Sequence, residues 1–193
     1  LGYTRRPLHF PDGYTMGSFS FSYSTKANWL FLIDCRNLSV QRIDMPNNDN
    51  GSHCAAMVPN GDVYFMPYAN ARAYRFSWQT RTFSTIETGI DKAVYTWDAI
   101  GASNGRVYFG TYPNAAFGEF DPATSVWDVR EKLVPNPTYV TNLSEDKDGR
   151  IRFRAWGPDG VWMRFDPNTR ELTKFELPDS EVTGCEFDLA AMT

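Results

Sequence analysis

The sequence repeats itself every 44 residues, and that period limits the folds open to it more than any other feature. Asn60–Gly–Asp–Val–Tyr–Phe65, Asn104–Gly–Arg–Val–Tyr–Phe109 and Asp148–Gly–Arg–Ile–Arg–Phe153 align with their glycines, Gly61, Gly105 and Gly149, 44 residues apart. One more step back reaches Gly17, in Met16–Gly–Ser–Phe–Ser–Phe21. A fixed period of about 40–45 residues suits a propeller blade, a unit that buries its faces only against neighbouring units.

The unit has internal order. An innermost strand comes first: Ser52–Met57, Thr96–Ile100, Val140–Leu143 and Gly184–Phe187. An Asn-Gly or Asp-Gly turn follows, supplying the positive φ angles that tight hairpins need. The second strand is apolar at alternate positions, Phe19/Phe21, Val63/Phe65, Val107/Phe109 and Ile151/Phe153, and period two means strand. Third strands close on Ile33–Asp34, Phe76–Ser77, Phe120–Asp121 and Phe165–Asp166. Val40, Phe83, Trp127 and Leu172 then follow as apolar anchors of a fourth strand. Asp121–Pro–Ala–Thr124 and Asp166–Pro–Asn–Thr169 are type I turn sequences.

These features predict an all-β fold, a β-propeller of four-stranded antiparallel blades in chain order from inner to outer strand. The alternative is a β-sandwich with accidental spacing. Residues 1–193 form one domain, with repeats at about 9–51, 52–95, 96–139 and 140–181 and a further inner strand in 182–193. Pro11 and Gly13 weaken the first strand, around His9. Four repeats plus one strand fit a four-bladed ring, part of a larger propeller, or a half that pairs with another chain. A homo-oligomer that closes an incomplete propeller is favoured over self-closure, in which Val182–Phe187 would replace the strand around His9. Arg152 and Arg154 stand where other repeats have Tyr64/Met66 and Tyr108/Gly110, consistent with a blade face lacking an ordinary neighbour.

A net charge of −4 argues against nucleic acid or an anionic membrane surface as the main partner, since both select basic patches. No apolar run approaches the roughly 18 residues of a membrane-spanning helix. Cys35, Cys54 and Cys185 form no CxxC pair and read as small buried residues. Asp146–Lys–Asp–Gly149 opens like a calcium loop but lacks its closing glutamate, so it is a hairpin turn. The compartment is not identified by the sequence, with an extracytoplasmic one slightly favoured.

The unit Asn104–Gly–Arg–Val–Tyr–Phe–Gly–Thr–Tyr–Pro–Asn–Ala115, closed by Phe120–Asp–Pro–Ala–Thr124, resembles blades of the SMP-30/NHL-like and virginiamycin B lyase-like β-propeller group. It is also similar to blades of propeller-type polysaccharide lyases. The resemblance covers about residues 16–180, and its motifs are turns and strand cores, which specify fold rather than activity. It implies a group of hydrolases, lyases and binding modules. In many members, inner-strand histidines and acids at the channel mouth act as metal ligands or as the base. No complete ligand set of that kind is present here.

Two candidate sites follow. The only histidines, His9 and His53, are 44 residues apart and so fall at one position of consecutive repeats. Trp97, Thr141 and Cys185 continue that position, and Asp98 and Glu186 belong to the next. His9, His53 and Asp98 would then make a polar catalytic site, or part of a divalent-metal site in which Asp98 is the third ligand. The alternative is a hydrogen-bonded core histidine and a frayed N-terminal one. The second candidate is aromatic. Tyr68, Tyr112 and Trp156 recur at the strand-to-hairpin position, and Tyr95, Trp97 and Tyr139 begin inner strands, so all six share one rim. Flat amphipathic rings suit sugar faces, while packing between blades is the alternative. The expected function is a ligand-recognition propeller for carbohydrate or another small molecule. The rivals are a lyase or hydrolase acting on a polysaccharide or small molecule, and a protein-interaction scaffold.

Overall fold

The computed structural model describes residues 7–20, 28–46, 52–68, 72–90 and 95–176. They form four antiparallel four-stranded sheets, each built from consecutive strands. Blade 1 holds β1 (Leu8–His9), β2 (Thr15–Ser20), β3 (Trp29–Asp34) and β4 (Ser39–Asp44). Blade 2 holds β5 (Ser52–Met57), β6 (Val63–Pro67), β7 (Ala73–Ser77) and β8 (Thr82–Ile86). Blade 3 holds β9 (Tyr95–Gly101), β10 (Val107–Tyr112), β11 (Phe117–Asp121) and β12 (Val126–Arg130). Blade 4 holds β13 (Val140–Glu145), β14 (Ile151–Ala155), β15 (Val161–Phe165) and β16 (Leu172–Lys174). The expected all-β architecture is the observed one. Gly61, Gly105 and Gly149 turn with φ of 86°, 81° and 78°, and their N–H groups donate back to Val58, Ala102 and Asp146.

Blade 1 departs from the period. Gly17 is not its turn glycine; it lies inside β2, where an added Cβ would sit 2.8 Å from the Phe10 ring. The turn belongs to Gly13, at φ 78°, whose N–H donates to the Phe10 carbonyl at 3.1 Å. Phe10–Pro–Asp–Gly13 therefore does the work of Val58–Pro–Asn–Gly61, a step of 48 residues. The hairpin is also one residue longer, because Phe10 N–H reaches Thr15 where Val58 N–H reaches Asp62. Beyond it the register recovers: Met16 faces Ile33 as Val63 faces Phe76. His9 consequently sits opposite Met16, the place that Met57 holds opposite Val63 and Glu145 holds opposite Ile151.

Period-two patterning puts apolar side chains on both faces of the middle strands, and adjacent blades share them as cores. Leu8, Phe19 and Leu30 meet Phe65 and Phe76 between blades 1 and 2. Ala56, Tyr64 and Met66 meet Val107, Phe109 and Phe120 between blades 2 and 3. Tyr108 and Phe117 meet Leu143, Phe153 and Phe165 between blades 3 and 4, with the Phe117 and Phe153 rings stacked at 4.3 Å. Each such buried ring contributes about 1.5–3 kcal/mol. Among the described residues no core joins blade 4 to blade 1, so the blades form an open array, compatible with part of a larger propeller.

Inner strands pack closely enough that an added Cβ on Gly101 would lie 1.9 Å from the Met57 carbonyl oxygen. Outer strands face solvent, and there two expectations fail. Val40 is 60% exposed rather than an apolar anchor, because no described residue covers β4 beyond the blade. Cys35 is exposed in the turn after β3, whereas Cys54 is buried as expected. On blade 4, Ile151 and Phe153 face blade 3, while Arg152 and Arg154 occupy the opposite face. Arg154 lies 3.8 Å over the Trp156 ring, and Arg152 pairs with Asp146. The inner strand expected in 182–193, with Cys185 and Glu186, lies outside the described residues.

Candidate aromatic binding site

The inner strands β5 and β9 each carry a β-bulge near their beginning. Ser52 pairs with Pro67 and Cys54 with Met66, leaving His53 as the extra residue. Thr96 pairs with Thr111 and Asp98 with Gly110, leaving Trp97 as the extra residue. Bulges re-aim side chains and recur beside functional sites. Here they bring the His53 and Trp97 rings to 4.5 Å across the blade 2–blade 3 boundary.

Around this pair the rings form a continuous network. Tyr68, at the end of β6, lies 5.8 Å from His53 and 4.5 Å from Tyr95, and its backbone bridges to Tyr95. Tyr95 stacks on Tyr112 at 5.8 Å, and Tyr112 stacks on Tyr139 at 4.4 Å. Trp97 closes the circuit against Tyr139 at 5.1 Å and Tyr112 at 6.0 Å. All six rings are half-buried, and they come from blades 2 and 3 and from Tyr139, one residue ahead of β13. Five of the six aromatic residues singled out from the sequence are thus in ring contact with one another. Trp156 borders the group without joining it. Its indole N–H donates to Thr141 Oγ1 at 2.8 Å and its backbone N–H to the Tyr139 carbonyl at 2.7 Å.

The polar constellation of His9, His53 and Asp98 does not assemble. His9 matches Met57 in register, four residues along the inner strand from the His53 position, or about 13 Å at strand rise. It lines a separate cavity of about 460 Å³ at the turn end of the inner strands. There Glu145 accepts the Ser103 backbone N–H at 2.8 Å and its hydroxyl at 2.5 Å. Asp98 follows the bulged Trp97, and its carboxylate reaches blade 4. It is 5% exposed, and its carboxylate accepts the Leu143 backbone N–H at 2.9 Å. That N–H is turned toward it by the bulge in β13, where Asn142 adopts φ 59°. Asp98 therefore fastens blade 4 to blade 3. Among the described residues no three His, Cys, Asp or Glu side chains gather as a metal site.

Sequence reasoning missed two things. His53 belongs with the aromatic residues, a placement visible in its sharing the bulge position with Trp97. The linker 131–137 between β12 and β13 walls a cavity of about 680 Å³ with Asn114. Its signal is weak in sequence: two prolines and an asparagine, ordinary loop chemistry.

No protein-family model and no curated protein matches the chain. Solved structures do. Virginiamycin B lyase from Staphylococcus aureus superposes with a TM-score of 0.64 at 15% identity, over 92% of this chain and 56% of that one. An auxiliary nutrient binding protein from Bacteroides thetaiotaomicron gives 0.59 at 12% identity, over 88% of this chain and 46% of that one. The extracellular domain of a one-component system from B. thetaiotaomicron gives 0.60 at 14%, over 93% of this chain and 22% of that one. The chain thus spans 56% or less of each of these three. No described helix is long and apolar enough to cross a membrane. The likeness is one of fold: a β-propeller similar to that of virginiamycin B lyase and to those of a nutrient-binding protein and the extracellular domain of a one-component system.

Proposed function

We propose that this chain is a ligand-recognition propeller whose binding site is the aromatic platform of His53, Tyr68, Tyr95, Trp97, Tyr112 and Tyr139, and that its ligand class is carbohydrate. The platform itself carries this reading. Six rings gather at one end of the inner strands, in contact with one another and half-buried. Ring faces left partly open to water suit the C–H faces of a sugar, while tyrosine hydroxyls serve its rim. An extracytoplasmic location accords with it, as one neighbour is an extracellular domain. The enzymatic alternative loses support because His9, one of its named residues, falls about four strand positions from His53.

The test is a glycan array followed by tryptophan-fluorescence titration of the hits. Trp97→Ala removes the ring at the centre of the platform, and loss of one ring–ligand contact, about 0.5–1.5 kcal/mol, should weaken binding by up to about tenfold. A folded, unmodified chain that binds no glycan rejects the proposal.

A further inference from the structure

The aromatic platform does not end in a flat wall. Two residues beyond Tyr112 stands Asn114, and two residues before Tyr139 stands Pro137, and both line the 680 Å³ cavity. Tyr112 and Tyr139 are themselves stacked at 4.4 Å, so the cavity adjoins the platform at both residues of one pair. Two residues of chain reach at most about 7 Å.

The cavity has the character of a built pocket. Its volume falls within the range of about 300–1,000 Å³ usual for small-molecule sites. Val134 is buried in its floor, part of the blade 3–blade 4 core, and Pro135 and Pro137 extend the apolar lining. Asn114 and Asn136 bring amide groups, and Glu131 and Lys132 bring opposite charges. Three residues beside it hold left-handed backbone without being glycine: Ala115 at φ 41°, Lys132 at 56° and Asn136 at 45°. Such conformations cost of order 1–3 kcal/mol each and persist where the surroundings impose them. Here the blade 4 hairpin does so, packing so tightly that an added Cβ on Gly157 would lie 2.6 Å from the Pro135 carbonyl. The pocket is therefore formed in advance rather than by the ligand.

Its charge selects too. Glu131 and Lys132 offset one another, and the whole chain is at −4. A uronic acid or phosphorylated sugar finds no net attraction there. We propose that platform and pocket are two subsites of one cleft, and that the ligand is a neutral oligosaccharide long enough to occupy both. This rests on the carbohydrate reading of the platform.

The experiment is calorimetry with mono- to hexasaccharides of glucose, mannose and N-acetylglucosamine, and with galacturonate oligomers of the same lengths. Affinity for a neutral series should rise about tenfold from disaccharide to tetrasaccharide, equivalent to about 1.4 kcal/mol, with the galacturonate series weaker. Asn114→Trp places an indole at the exposed mouth of the pocket. It should return the tetrasaccharide to the affinity of the disaccharide while leaving the disaccharide within about twofold. The length dependence of the unmodified chain tests the idea independently of that variant. Sugar binding without length dependence, an unaffected tetrasaccharide in Asn114→Trp, or equal affinity for galacturonates overturns the two-subsite, neutral-ligand proposal but leaves the platform. Failure of every saccharide overturns the platform reading and this one with it.

Discussion

Asp98 was a catalytic candidate from its position beside Trp97, and the structure assigns it to holding blades together; the two roles respond differently to one substitution. Its carboxylate is 5% exposed and accepts the Leu143 N–H at 2.9 Å, across the boundary between β9 and β13. Hydrogen bonds to a charged group contribute about 1.5–3 kcal/mol, and water cannot replace this acceptor in a buried seam. Asp98→Ala should therefore cost about 2–3 kcal/mol of unfolding free energy. With an m-value near 2–3 kcal/mol/M, that lowers the urea midpoint by about 1 M. Asp98→Asn keeps an acceptor oxygen and should recover about half of the loss. The assay is urea unfolding followed by tryptophan fluorescence and circular dichroism, with ligand titration of the folded variant alongside. Ligand affinity should stay within about threefold, since the Asp98 carboxylate is buried in the seam against the Leu143 N–H. Unchanged stability, or an intact midpoint with abolished binding, would refute the inter-blade role.

Gly101→Ala drives a Cβ to 1.9 Å from the Met57 carbonyl oxygen, so β5 and β9 must separate, and thermal unfolding should show a loss of about 3 kcal/mol or more; an unchanged Tm would contradict the close approach. Asp146 yields a pH dependence. Burial pushes its carboxyl up, but N–H donors from Arg150 and Asp148 and the Arg152 guanidinium prevail and hold it below its ordinary value. Its folded value thus lies below the unfolded value of about 3.9. The stability it contributes is complete above that value and disappears as pH falls through the lower folded one. The gap in stability between the unmodified chain and Asp146→Asn should be constant from pH 5 to 7, to about the precision of the fit, and shrink below about pH 4. A gap that persists at lower pH rules the assignment out.

Much of the molecule was legible in its residues because propeller blades are local objects. Each strand pairs with the next in sequence, so Asn-Gly and Asp-Gly turns and period-two runs state the sheets almost completely. The aromatic platform was legible for the same reason: Tyr68 and Tyr112 recur at one strand end, and a fixed blade geometry carries that recurrence to one rim. In the first blade the 44-residue period and the turn motif disagree, and the turn motif governs. Phe10–Pro–Asp–Gly13 matches Val58–Pro–Asn–Gly61 better than Met16–Gly17 does, and only φ at Gly13 decides it.

By itself the sequence determined the repeat, the strands and the set of rings, since these depend on contacts between neighbours in the chain. Tertiary structure alone decided which side chains converge. The four-residue slip in blade 1 carried His9 to the far end of the inner strands, and bulges at His53 and Trp97 brought those two rings together. The Asp98 carboxylate went into the seam with blade 4, and the tight contact at Gly157 held the linker 131–137 in place as a pocket wall. A bulge or a slip of register changes no composition and little periodicity, yet it reverses or displaces a side chain, and so it shows only when neighbouring blades are in place.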